Sequence, residues 1–340
     1  MIRSAISGCS LLASGALVLL TACAKDPTPE AVTSDRPDPR PAIEQPNQPT
    51  QAELRKARAE RNRAANAVQT SASAASQTQS DYYGAMQRRL IAQGKLRRDR
   101  VPQDAPITAE SLTRDFIAIA LRDEYSRSGD GLVSQARTAP LRRWEQPVRV
   151  QLEFGASTEI AARPAWRSEV AGFANRLSSA TRHPVTMTAD RGNFPVLILS
   201  EDERRAIGPR LAELVPGIPA SDIAILADLP PAISCTVFAY SKGNASEYAH
   251  AVAIIRAELP PLLRTSCIHE EIAQGMGLAN DSPAARPSIF NDDEEFALLT
   301  RHDELLLQIL YDRRLRPGMT EAQAAPIVRQ IASELLGEAA

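Results

Sequence analysis

The chain has 340 residues, with 39 lysines and arginines against 41 aspartates and glutamates and a formal net charge of −2. That balance excludes a nucleic-acid binder built on a strongly basic surface. The length allows one medium-sized domain with extra segments, and the sequence holds no phosphate loop, dinucleotide fingerprint or nucleophile elbow.

Met1-Ile2-Arg3 is a short, weakly basic start, and a run of small and apolar residues follows from Leu11 to Leu20. After Leu20-Thr21-Ala22-Cys23 the chain turns polar and proline-rich. This pattern marks residues 1–22 as a secretory signal. The apolar run falls short of the roughly 20 residues that a bilayer span needs. The Leu-Thr-Ala-Cys tetrad resembles the lipobox of bacterial lipoproteins, which implies cleavage before Cys23 and a membrane anchor through lipid on Cys23. Ala24, rather than aspartate, follows the cysteine. By resemblance to enterobacterial sorting rules this points to the outer membrane, facing the periplasm. Cys9 leaves with the signal, so Cys235 and Cys267 remain. In an oxidising compartment two such cysteines are most simply a disulfide.

Residues 24–50 are rich in proline, aspartate and threonine and read as a semi-extended tether. Residues 51–68 read as a helix former with no apolar face, either a solvated helix or disordered. Residues 69–80 look flexible. Residues 82–98 predict a short amphipathic helix carrying Arg88, Arg89, Lys95, Arg97 and Arg98. This locally basic stretch is either an arm for anionic lipid or cell-wall polymer, or a solvated linker. Residues 23–105 are thus a lipidated cysteine and a disordered or helical linker, and residues 106–340 the folded domain.

Within that domain, Thr108 is placed to cap a helix whose Leu112, Phe116, Ile117, Ile119 and Ala120 face a core. A Gly-Asp-Gly turn at 129–131 and a second short helix are expected next, leading to Arg143 and Trp144. Val148–Phe154 alternates cleanly as a strand. Residues 164–181 read as a helix with Trp166, Val170, Phe173 and Leu177 inward. Pro184–Thr188 and Pro195–Leu199 are strands, and 201–215 is helical. Ile233–Tyr240 is a strand, and His250–Ile255 is another, an edge strand or hairpin partner. A long helix is expected over about 259–279, with further helices at 303–312 and 320–337. The order gives an α/β (α+β) domain with a mixed sheet.

The long helix and its exit carry the chemistry. His269-Glu270 opens like a zinc-binding His-Glu-x-x-His, but the position four residues on is Ala273, which binds no metal. One residue later the spacing resembles that of the metzincin proteases, His-Glu-x-x-His-x-x-Gly-x-x-His followed by a Met-turn. Glu271 holds the place of the catalytic glutamate and Gly277 that of the helix-ending glycine. Glu270, Gln274 and Asn280 stand where the three histidine ligands would be. Ser288-Ile289-Phe290 sits where the Met-turn would be. The resemblance implies a zincin-like fold with a ligand-substituted site.

From Trp144 to about Met319 the chain also resembles a family of proteobacterial lipoproteins described only as a domain of unknown function. The segments from Cys267 to Asp281, Ser288 to Asp292, Leu305 to Asp312 and Pro317 to Met319 carry that resemblance.

Glutamate, glutamine and asparagine bind through oxygen, which suits calcium, magnesium or manganese rather than zinc. Three functions stay open. The first is a non-catalytic pseudoprotease domain that recognises a peptide, protein or cell-wall partner; the missing histidines favour it over an enzyme. The second is a metal-dependent hydrolase with Glu271 as general base and Glu270, Gln274 and Asn280 holding a divalent cation, with His269, His302 or the aspartates 281, 292 and 293 as further ligand candidates. The third is a structural role for the same polar residues.

Overall fold

The computed structural model describes residues 50, 52–53, 55–60, 73–128 and 131–338. The signal segment, Cys23 and the tip of the Gly-Asp-Gly turn lie outside the described residues. The chain divides into two compact units, Met1–Leu54 and Arg55–Ala340, and the second holds the α/β body.

That body is mixed α/β. It contains α1 (Ala74–Ala92), α2 (Ala109–Ala120), β1 (Arg122–Ser128), β2 (Gly131–Thr138), β3 (Val148–Phe154), α3 (Arg163–Thr181), β4 (Val185–Thr188) and β5 (Phe194–Leu199). Three short helices follow, α4 (Glu201–Arg205), α5 (Gly208–Leu214) and α6 (Ala220–Ala227). The hairpin strands β6 (Cys235–Ser241) and β7 (Tyr248–Arg256) lead to α7 (Pro261–Gln274), α8 (Arg301–Leu310) and α9 (Glu321–Leu336).

The main sheet has the order β4-β3-β5-β7-β6. Its first four strands are parallel, and β6 runs antiparallel at the edge. The alternation along β5 and β7 feeds two cores. Val196, Ile198, Ala251, Ala253 and Ile255 face the larger one, shared with α2, α3, α7, α8 and α9. Leu197, Leu199, Val252 and Ile254 face the smaller one, closed by Ile207, Leu211, Val215 and Leu226. A parallel strand covered on both faces needs apolar residues at every position, and all six residues of β5 are buried.

Most sequence expectations hold: β3 spans Val148–Phe154, and Thr108 caps α2 in a reciprocal box with Ser111. Four differ. The short helix expected after residue 131 is instead β2, paired with β1, with Ser128 opposite Gly131. Of the two alternatives for His250–Ile255, the hairpin partner of β6 holds and the edge strand does not, since β7 sits inside the sheet between β5 and β6. The long helix stops at Gln274, not 279.

The fourth difference is the start of the packed body, which reaches upstream of the boundary at 106. Ser73 caps α1, whose Tyr83 is fully buried and donates its hydroxyl to Pro231 O (2.7 Å). The Gln87 side-chain oxygen accepts from Leu262 N (3.0 Å) and Leu263 N (3.2 Å), two of the orphan amides that open α7. Beyond α1, Leu96 N and Arg97 N donate to the carbonyls of Glu294 and Glu295. Arg97 ion-pairs with Glu295, so part of the basic stretch is spent inside the molecule.

Candidate functional site

Two prolines start α7, where a missing N–H and a fixed φ cost nothing. Its exit is set by close packing. A Cβ on Gly275 would lie 2.3 Å from the Phe194 ring, and one on Gly277 would lie 2.5 Å from Arg142 O at a φ of +125°. Glycine is therefore required at both positions, and the chain turns sharply away from the helix axis. Trp144 Nε1 donates to Gly275 O (2.8 Å) and Tyr311 OH to Met276 O (2.9 Å), which pins the turn.

The turn decides where the candidate residues go. Glu270, Glu271 and Gln274 line an open cleft of about 620 Å³, and Asp281 joins them. Gln274 Nε2 donates to Asp281 Oδ1 (3.0 Å), linking the helix end to the exit strand of chain. Asn280 does not line the cleft. It is 5 % exposed, and its Nδ2 donates to Ala118 O (2.8 Å) and Asp281 O (2.7 Å), while its own N–H donates to Ile119 O (3.1 Å). It thus caps the last turn of α2, where helix carbonyls lack intrahelical partners. The position assigned to a third ligand does structural work, and Asp281 takes its place in the cleft.

The cleft is also lined by β6, from Cys235 to Ser241, and by residues of the Gly243–Ser246 turn. Asp222, which accepts from Tyr240 OH (3.1 Å), and the ion pair of Asp123 with Arg142 complete the lining. Asp222, Asp123 and Arg142 were not singled out from the sequence, because they join the cleft only through the sheet edge and the α2–β1 junction. None of the residues lining the cleft is a histidine.

Cys235 and Cys267 form the expected disulfide, with 5.9 Å between Cα atoms. Closing a loop of this length stabilises the fold by about 3–4 kcal/mol in the chain-entropy account. Ligand atoms of Cys235, Glu270 and Glu271 lie within 4.8 Å of one another, a cluster able to hold a metal ion. The sulfur of Cys235 is committed to the disulfide, and thiolate is the form that ligates. The carboxylates of Glu270 and Glu271, with the amide of Gln274 beside them, are the remaining donors. That oxygen set fits a hard divalent cation better than zinc.

The other candidate ligands sit elsewhere. His269 stacks on Phe173 at 4.1 Å and its Nδ1 accepts from Leu299 N (3.1 Å). Burial, with Arg176 nearby, pushes its pKa down to about 3, so it is a neutral core imidazole. His302 is fully buried, with Nε2 3.1 Å from Asp115 and Nδ1 3.7 Å from Asp303. These are ion-pair contacts rather than aligned hydrogen bonds. Burial opposes its charge, but the two carboxylates outweigh it and raise the pKa above the ordinary imidazole value. Asp292 and Asp293 are outside the cleft lining. Phe290, in the place of the Met-turn, is fully buried, and its carbonyl accepts from Ser282 N (2.8 Å) just past Asp281.

One family, described as "Protein of unknown function (DUF2927)", matches residues 109–330, a span that contains the Trp144–Met319 stretch. No curated protein and no solved structure matches the chain.

Proposed function

The chain belongs to the DUF2927 family, and from its site we propose a non-catalytic peptide-binding domain on an envelope lipoprotein. The carrying observation is that β6, the antiparallel edge of the sheet, lines a cleft that acidic side chains also line. An edge strand offers a row of backbone donors and acceptors that an extended peptide can complete by strand addition. Glu270, Glu271, Asp281 and Asp222 then favour a peptide with lysine or arginine side chains, while Arg142 is the one basic residue of the lining.

The element order supports a metzincin-like ancestry for this arrangement. A mixed sheet ends in an antiparallel hairpin, and the next helix carries the substituted motif. Without histidines in the cleft, the site lacks the imidazole set of catalytic zinc. On this reading the domain holds peptides rather than cutting them. Titration of a lysine-rich decapeptide against the full chain, with an acidic peptide of the same length as control, tests this. Saturable binding of the basic peptide only, lost in Glu270→Gln, is the expected result, and equal binding of both peptides refutes it.

A second reading rests on the closeness of Glu270 and Glu271. The two carboxylates would hold a calcium, magnesium or manganese ion, and Glu271 would act as general base on a water. Metal content of the purified chain, wild type beside Glu270→Ala, separates the two. A stoichiometric ion lost in the variant favours the hydrolase.

The envelope setting rests on the lipobox-like tetrad that ends at Cys23. The Cys235–Cys267 disulfide fits an oxidising compartment. Among the described residues no helix is long and apolar enough to cross a membrane. Labelling with a radioactive fatty acid, abolished by Cys23→Ala, tests the anchor.

A further inference from the structure

A second cavity is lined by residues that follow the parallel strands β3, β5 and β7. β3 is followed in the chain by β4 on one side, while β5 lies on its other side, so the strand order reverses between β3 and β5. Open α/β sheets place ligands at such a switch point, outside the carboxyl ends of the strands. A cavity of about 340 Å³ opens there, at the small end of ligand sites. Thr158 follows β3, Ser200 follows β5 and Glu258 follows β7, and Ser76 and Ser80 of α1 close it from above.

Two polar atoms of this cavity lack partners. Thr158 is 7 % exposed, and its buried Oγ1 has no hydrogen bond. Glu258 Oε1 accepts from Ser76 Oγ (2.6 Å) and Glu201 N (2.8 Å), but its buried Oε2 accepts nothing. The arginines of the region are committed elsewhere. Arg264, which also lines the cavity, pairs with Glu169, while Arg256 and Arg204 pair with Glu201. Ser157 Oγ donates to Glu203 Oε2 (2.8 Å), and Ser200 Oγ accepts from Glu203 N (3.5 Å). What is left is a carboxylate oxygen that needs a donor and a threonine hydroxyl without a partner, on two residues that line the same cavity.

A buried acceptor without a donor is costly, and a cationic N–H is its strongest partner. We propose that this cavity binds a small ligand through an ammonium group, with Glu258 as the counter-charge and Thr158 Oγ1 as a second acceptor. The site is separate from the β6 cleft and does not rest on the peptide-binding reading. Because α1 supplies Ser76 and Ser80, the ligand also bridges α1 to the carboxyl ends of the sheet.

The test is calorimetric titration of the full chain with 1,4-diaminobutane, 1,4-butanediol and tetramethylammonium chloride at constant ionic strength. The diamine is expected to bind saturably, at least tenfold more tightly than either of the others, because only it combines charge with N–H donors. Glu258→Gln is expected to weaken the diamine at least tenfold and Thr158→Val several-fold, with melting temperatures close to wild type. Equal binding of the diol or of tetramethylammonium overturns the proposal, as does an unchanged affinity in Glu258→Gln or no binding of the diamine at millimolar concentration. If Glu258→Gln does not fold, diamine-induced amide shifts in the wild-type NMR spectrum decide. Shifts centred on residues 155–159 and 257–259 support the site, and shifts confined to other regions overturn it.

Discussion

Cys235 opens β6 and Cys267 lies one helical turn before Glu270 and Glu271 on α7, and the disulfide between them joins the two walls of the cleft at one end. The spacing between the edge strand and the carboxylates is thereby set by a covalent bond. Ser234 Oγ sits 3.5 Å from Cys267 Sγ and 3.6 Å from Cys235 Sγ beside it.

Removing that bond should affect both stability and recognition. The double variant Cys235→Ser, Cys267→Ser is expected to lose about 3–4 kcal/mol in denaturant unfolding, and to bind the basic peptide more weakly because the walls can splay. Unchanged peptide affinity in the folded variant would show that the clamp does not shape the cleft.

Asn280 and Glu270 should separate cleanly. Asn280→Ala removes the donor to Ala118 O and Asp281 O and is expected to cost about 1–3 kcal/mol of stability, the usual penalty for buried acceptors left unpaired. Peptide or metal affinity should stay as in wild type once the protein is folded. Glu270→Gln should do the reverse, lowering affinity with little loss of stability. Chemical denaturation read beside calorimetry for both variants checks the pair.

Stability should pass through a maximum on the mildly acidic to neutral side. The folded pKa of His302 is raised, so its contribution is complete below the unfolded value of about 6.5 and fades as pH climbs through the folded one. The pKa of His269 is depressed to about 3, so its neutral burial favours the fold above about 6.5 and turns unfavourable as pH falls toward 3. Thermal melts from pH 4 to 9 should show His302→Gln flattening the alkaline limb and His269→Gln the acidic one. Parallel curves for wild type and His302→Gln would mean that this imidazole is neutral in the fold.

The packed body should begin at α1. A chain starting at residue 73 is expected to melt cooperatively near the full-length temperature. One starting at residue 106 should expose the partners of Tyr83 and Gln87 and unfold at lower temperature or aggregate. Equal melting temperatures for both would contradict the packing of α1.

Much of this fold was legible in the sequence. The alternation from Val148 to Phe154, the inward Trp166, Val170, Phe173 and Leu177, and the Thr108 cap are local patterns, and the structure keeps them. The disulfide was expected between Cys235 and Cys267, the two cysteines outside the segment read as a signal and lipidation site. What was not legible depends on long-range contact. The helix end at Gln274 is set by Phe194 and Arg142, 80 and 132 positions away in the chain. That turn sends Asn280 to α2 and Asp281 to the cleft. Motif spacing places residues on a helix face, and beyond Gly277 there is no helix to carry it. The hairpin of β1 and β2 lacked a clear apolar alternation to announce it. α1 read as a linker because its anchors are single residues spaced among exposed arginines.

The most direct test of the account is calorimetric titration of the full chain with a lysine-rich decapeptide, followed by mass spectrometry of the recovered peptide after incubation with calcium, magnesium, manganese or zinc. Saturable binding, weakened by Glu270→Gln and by high salt, with the peptide recovered intact under every metal, is the predicted result. Metal-dependent cleavage abolished by Glu271→Gln would contradict it and make the protein a hydrolase.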